Sequence, residues 1–391
     1  MTNQVLKGIR IVDFSAVVAG PFCSLLLSSL GAEVIHVSNY HKDDPVRANN
    51  NARYNAVNMN RRDIAIDLKN PQGLALGLKL VESSDVVVEN LRPGAMDKLG
   101  LGYEALKKVK PNIIMVSASG FGATGPFRSY GGFATNFVAA SGLSSLIGYA
   151  GGLPNEERGP ADFRSGQLMA LTVMVALLHR QRSGVGQHID LSMTEAHVCG
   201  IGEKVLDYVM NGRIAEPTGN RHEYMAPHNS YRCKGNDAWI SIAVGNDKEW
   251  LAFRRAMGDP EWAKDSKYGT ALLRWKNQEE LDKSITAWTI NLEPIHAMNL
   301  LQQAGVAAMP TANAADIFND PHFKERHFLG EVTYKNEKQT VVGVPYIMNK
   351  TLTDIYKPAP GWGEHTDEIL ADVLRFDQGE IEMLKNSGVV K

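Results

Sequence analysis

The chain has 391 residues, 44% of them hydrophobic, with 41 basic and 43 acidic side chains and a formal net charge of −2. Charges of both signs are interspersed, which excludes the basic face of a nucleic-acid binder; three isolated cysteines, Cys23, Cys199 and Cys233, with no CxxC pair exclude a disulfide framework and a zinc ribbon, and fit a reducing cytoplasm. The N-terminus has no apolar signal core and no uninterrupted run of about 18 apolar residues occurs, so no membrane association is expected, and the length allows two domains.

In chain order, GIRIVDFS reads as a short apolar strand and AGPFCSLLLSSLGAE as a helix ending near Gly31. EVIHVS is a second strand, and NPQGLALGLKLVESS a helix with Pro71 in its first turn. DVVVENL and NIIMVSASGFG are the third and fourth strands. These strands are near-continuous apolar runs, which suits parallel strands buried on both faces. Residues 163–182 form a long helix, GQHIDLSM another strand and TEAHVCGIGEKVLDYVMNG a further helix. A polar, turn-rich stretch, RIAEPTGNRHEYMAPHNSYRC, precedes the strand AWISIAV and several helices such as DKEWLAFRRAM and EELDKSITAWT. The expected architecture is α/β: a large domain with an open, mainly parallel sheet over residues 1–205 and 325–391, a smaller α+β domain over 225–320, and linkers at 205–225 and 320–340.

In such a sheet, ligands bind at the carboxyl ends of the strands. The loops expected there are SAVVAGPF, SNYHKDD, ENLRPGAMDKLG and SGFGATGPFRSYGG, all rich in Gly, Pro or small polar residues. For any single loop, turn chemistry alone accounts for that composition; four on one rim point to a ligand. No GxGxxG follows the first strand, and no Walker lysine motif, GxSxG elbow or HExxH is present. His222 and His228 lie six apart in a polar loop, an unconvincing metal pair, so no metal site is expected. One acid has an unusual setting. In GPADFRSGQL, Asp162 opens the long helix. It can cap that helix, accepting backbone N–H bonds that keep it ionised. It can also be a nucleophile toward an activated acyl group. Spacing alone leaves both readings open.

The chain as a whole resembles the family III CoA-transferases, the group that includes formyl-CoA transferase and carnitine CoA-transferase. The resemblance is carried by GIRIVDFSAVVAGPFCSLLLSSLGAEVIHV, VENLRPGAMDKLGLGYEAL, SASGFGATGP, PADFRSGQLMALTVMVALLHRQRSGVGQHIDLSM and GEHTDEIL, in family order at family spacing. It implies a Rossmann-like large domain and a dimer of two interlocked rings, with the two linkers closing each ring. It also implies that Asp162 is the nucleophile of a covalent acyl exchange. Coenzyme A would be substrate and product, with no tightly bound cofactor and no metal. The matching positions place Val18 and Ala19 beside the pantetheine end, and Asn39, often an Arg in the family, after the second strand. Ile66, Leu68 and Lys69 flank the adenine. Asn90, Arg92, Lys98 and Arg128 follow the third and fourth strands, where a diphosphate and a 3′-phosphate make basic residues reasonable.

Formyl-CoA transferase has a glutamine where this chain has Val18, and a glycine run absent here, so formyl or oxalyl transfer is not expected. The main alternative is an α-methylacyl-CoA racemase of the same fold, whose acid–base pair needs a histidine where this chain carries Phe133. A second is one subunit of a heteromeric transferase, and since Asp162 is present this chain would be the active one.

Overall fold

A computed structural model describes residues 4–49, 51–155, 160–334, 337–353, 355 and 357–391. The chain divides into two compact units: residues 1–145, 155–215 and 322–391, and residues 146–154 and 216–321.

The first unit is built on six parallel strands: β1 (Arg10–Asp13), β2 (Glu33–Asn39), β3 (Arg61–Ile66), β4 (Val86–Glu89), β5 (Ile114–Ser119) and β6 (His188–Ser192). Their order is β3-β2-β1-β4-β5-β6, a doubly wound sheet whose order reverses between β1 and β4. The apolar runs are buried on both faces. Val12, Ile35, Ile64 and Val87 pack with the Pro71–Glu82 helix (Leu76, Leu80), while Ile11, Val34, Val88 and Val116 pack with the Ala19–Ser29 and Pro160–Ser183 helices. Asn70 caps the Pro71–Glu82 helix from the side, accepting from Gln72 N, with Pro71 at the first helical position, where its missing N–H costs nothing.

β3 is absent from the sequence reading. RRDIAI opens on three charged residues; Arg61 and Asp63 are buried because each meets a partner, Asp13 at 3.3 Å and His36 at 2.6 Å, while the half-buried Arg62 pairs with Glu33 and Glu368. The outer edge of β3 is covered by the C-terminus, Val390 bridging Ile66 and Lys391 N donating to Ala65 O.

The Pro160–Ser183 helix is, among the described residues, the one helix long and apolar enough by length and composition to cross a membrane. Its Met169, Ala170 and Val173 are instead spent on the sheet. Gly166 permits the approach to the Ala19–Ser29 helix, since a Cβ there would stand 2.6 Å from Ala19 O, and Phe163 meets Phe22 edge-on with centroids 4.7 Å apart. A hairpin, β10 (Leu329–Tyr334) with β11 (Glu337–Val342), belongs to this unit and occupies much of the segment expected as the 320–340 linker; residues 335–336 of that segment lie outside the described residues.

The second unit holds an antiparallel sheet, β7 (His228–Arg232), β8 (Trp239–Ala243) and β9 (Ala307–Pro310). Tyr231, Ile240, Ile242, Trp250, Phe253, Leu281 and Ile285 form its core. Arg274 is wholly buried there, donating to Ala226 O, Tyr268 O and Asp247.

Candidate active site

The crevice where the strand order reverses lies at the carboxyl ends of β1 and β4. After β1 the chain turns sharply through Ser15–Val17 into the Ala19–Ser29 helix. Asn90, just past β4, clamps this turn by accepting from Ala16 N at 2.9 Å and donating to Ala16 O at 2.8 Å. Gly20 is required here, because a Cβ would stand 2.2 Å from the Ser15 side chain. The helix start, Val18 and Ala19, is buried and carries no side-chain cap. Its free N–H groups leave a positive helix end at the crevice.

Beside the turn opens a cleft of about 490 Å³, lined by Ser15, Ala16, His36, Asn39, Lys42, Ile66, Leu68, Lys69 and Met96 among others. It gathers four of the residues expected from sequence: Asn39, Ile66, Leu68 and Lys69. Asn39 Oδ1 accepts from the amides of His41 and Lys42, so its side chain is engaged in shaping its own loop. His41 lies 3.0 Å from Asp67; against the desolvation of this half-buried carboxyl, the hydrogen bonds from His41 and Lys69 N hold it below its usual range. His41 and Lys42, just past Asn39 on the same loop, also line the cleft. They were visible in SNYHKDD only as part of a polar loop.

A second cleft, of about 280 Å³, lies beyond β4 and β5 and is lined by Glu89, Arg92, Asp97, Tyr103, Ser117, His188 and Asp190. Arg92 reaches the loop after β5, its guanidinium lying where a Cβ on Gly131 would fall. Burial raises the Glu89 carboxyl and lowers His188, whose Nε2 lies 2.9 Å from Ser117 Oγ. Lys98 ends the short Ala95–Lys98 helix, exposed to solvent, and Arg128 is exposed on the loop after β5; neither lines either cleft.

Asp162 lies inside the Pro160–Ser183 helix, in its first turn and not at a capping position. Its carboxylate accepts no hydrogen bond among the described residues. The cap reading, with backbone N–H groups keeping the acid ionised, is therefore corrected: burial raises the Asp162 carboxyl above its usual range and the charge of Arg53 opposes the rise. One turn further on, Gly166 rests against Ala19 O, so the two helix starts carrying Asp162 and Val18–Ala19 are neighbours. Phe133 is 79% exposed at the start of the Ala134–Ala140 helix. Among the described residues no group of three His, Cys, Asp or Glu side chains is arranged to hold a metal ion.

The family model for CoA-transferase family III matches residues 6–366. This chain belongs to CoA-transferase family III. It is 33% identical over 401 residues to a succinyl-CoA–D-citramalate CoA-transferase of Chloroflexus aurantiacus, covering 98% of each chain. It is 30% identical to the beta subunit of a succinyl-CoA–L-malate CoA-transferase of the same organism, covering 100% of this chain and 99% of the relative. Its fold matches the crystal structure of a CAIB/BAIF family protein from Brucella suis, with a TM-score of 0.88 at 28% identity, covering 95% of this chain and 99% of that one. The chain is a CoA-transferase, moving CoA between an acyl-CoA and a carboxylate. With that assignment the racemase alternative is set aside.

Proposed function

We propose that Asp162 carries CoA transfer through covalent intermediates. Its carboxylate oxygen attacks the thioester carbonyl of the donor. The C–S bond breaks, CoA leaves as thiolate and a mixed anhydride remains on Asp162. The thiolate then attacks the Asp162 carbonyl, expelling the donor acid and leaving an aspartyl-CoA thioester. The acceptor carboxylate attacks the same carbonyl, breaking its C–S bond to give a second mixed anhydride and CoA thiolate; the thiolate then attacks the acceptor's acyl carbon, forming the new thioester and freeing the Asp162 carboxylate. No proton or electron is gained or lost overall. Each step exchanges acyl groups of similar energy, which is what covalent catalysis achieves here.

The observation that carries this reading is the setting of Asp162. It is a partly buried carboxylate without a hydrogen-bond partner among the described residues, on a helix start packed against the uncapped start of another. An unpartnered carboxylate is nucleophilic. The neighbouring helix end suits the negative charge that develops on the attacked carbonyl oxygen. In this reading CoA lies along the strand ends, its pantetheine by Val18 and Ala19, its adenine by Ile66 and Leu68, and its phosphates near Lys69, Lys42 and Arg92. The relatives' names favour succinyl-CoA as donor and a dicarboxylic acid as acceptor. Hydroxylamine added during turnover with succinyl-CoA should convert the Asp162 peptide to its hydroxamate, read by mass spectrometry; a hydroxamate on another residue, or none, overturns the assignment.

A dimer is part of the same reading. Val205, Leu206, Val209 and Met210 of the Gly202–Asn211 helix and Leu171, Val175 and Leu178 of the Pro160–Ser183 helix are all exposed, an apolar surface suited to a second copy. The subunit designation of one relative keeps a related second chain as the other candidate partner. Light scattering of the purified chain, with activity measured on the same sample, separates homodimer, heteromer and monomer.

A further inference from the structure

The Ser15–Val17 turn is held by side chains from four places in the fold. Ser15 N donates to Asp13 Oδ1 at 2.8 Å, Ala16 N to Asn90 Oδ1 at 2.9 Å and Val17 N to Asp44 Oδ2 at 3.0 Å. On the carbonyl side, Ala16 O accepts from Asn90 Nδ2 and Ser15 O from His36 Nε2 at 3.0 Å. Such clamping has a reason. Val17 has φ +70°, a left-handed conformation that a β-branched residue does not hold unaided. The turn leads directly to Val18 and Ala19.

His36 is the aromatic clamp, and it is anchored on its far side. It is 3% exposed, and its Nδ1 lies 2.6 Å from Asp63 Oδ2. Asp63 in turn accepts from Ser38 Oγ at 2.6 Å, Gly363 N at 2.6 Å and Arg47 at 3.3 Å. The Ser15 carbonyl only accepts, so Nε2 must carry a proton. The rigid imidazole thus spans from a fixed carboxylate to the turn, with no freedom to rotate.

We infer that His36 is a positioning residue for CoA transfer: its hydrogen bond to the Ser15 carbonyl fixes the turn that sets Val18 and Ala19 against the acyl end of the substrate. This rests on reading the crevice as the CoA site. A positioning role acts on the transfer step more than on the hold on CoA, since displacing reacting groups by about 1 Å costs on the order of 100-fold in rate. The test compares His36→Gln, which keeps a donor at the Nε2 position, with His36→Asn, which keeps one only at the Nδ1 position. His36→Asn should lower kcat about 10- to 100-fold with little change in the KM for succinyl-CoA or in CoA affinity by calorimetry, and should speed amide hydrogen exchange at Ser15–Val18. His36→Gln should restore most of the rate and the protection. Equal losses in both variants, tracking a shared loss of melting temperature, would make His36 a mere core residue and overturn the inference, as would an unchanged kcat in His36→Asn. Should His36→Asn not fold, Asp44→Ala releases the same turn from the cleft side without entering the buried network; it should show the same split, and a wild-type kcat there overturns the inference. If the wild type binds no CoA, it is the reading of the crevice that fails. The clamp is then judged by exchange alone: faster exchange at Ser15–Val18 in His36→Asn than in His36→Gln sustains it, and equal exchange removes it.

Discussion

Asp63 and Asp162 belong to the same α/β unit and both lie among buried surroundings, yet the fold surrounds them differently. Asp63, on β3, accepts from His36, Ser38, Arg47 and the Gly363 amide, and these partners outweigh desolvation, holding its carboxyl down to about 2. Asp162, in the first turn of its helix, has no hydrogen-bond partner among the described residues, and burial pushes its carboxyl up against the pull of Arg53. A carboxylate with donors on both oxygens is a structural tie, its charge spent on those donors. A carboxylate left without donors is destabilised as an ion and correspondingly more reactive, the usual condition of a catalytic acid or nucleophile.

The comparison can be broken or sharpened by experiment. Asp162→Asn should abolish transfer, by roughly 10³-fold or more, while leaving the melting temperature nearly unchanged; mass spectrometry must exclude deamidation back to Asp, and near-wild-type turnover would make Asp162 structural after all. Asp63→Ala should act first on stability. It strips His36 of its buried carboxylate partner and leaves Arg47 only Asp43 as counter-charge among the described residues, and breaking such a buried pair costs about 3–5 kcal/mol, measured as a lower midpoint in urea.

The two acids should also part with pH. Asp63 is ordinarily near 3.8 and is lowered to about 2 by folding. Its contribution is therefore fully present above about pH 4 and is lost as pH falls through about 2, amounting to about 2 kcal/mol at 1.36 kcal/mol per unit. Urea unfolding of wild type and Asp63→Asn across this range should show the pH-dependent portion only in wild type.

Smaller effects concern CoA. Lys69→Ala and Arg92→Ala, whose side chains line the two clefts, should each raise the KM for acyl-CoA about tenfold with kcat nearly kept, as expected for loss of a charge-assisted bond. Lys98→Ala and Arg128→Ala, which line neither cleft, should act less; a reversed order would relocate the phosphates. The smallest change is expected from Arg53→Ala. Removing this positive charge should raise the Asp162 carboxyl further, shifting the acidic limb of the rate profile to higher pH and lowering the rate near neutrality less than tenfold. An unmoved limb would separate Arg53 from Asp162.

By itself the sequence determined the elements with strong local signals. The apolar runs IRIVD, EVIHV, DVVVE and NIIMV announce parallel strands because strands covered on both faces have no polar side to alternate with. Asn70 and Pro71 mark a helix start for local steric reasons. The motif blocks place Asp162, since its position relative to RSGVGQ needs no coordinates. What needed the tertiary structure was every feature resting on partners distant in sequence. RRDIAI becomes β3 only because Asp63 finds His36 on the neighbouring β2 and Arg61 finds Asp13 two strands away on β1. The polar HNSYR becomes β7 by pairing with β8. That Asn90 clamps Ala16, 74 residues away, and that among the described residues Asp162 accepts no helix-start N–H, likewise appear only once the chain is folded. Local propensity is written in consecutive residues, whereas the burial of charge depends on which side chains the topology brings together, and no local pattern encodes that.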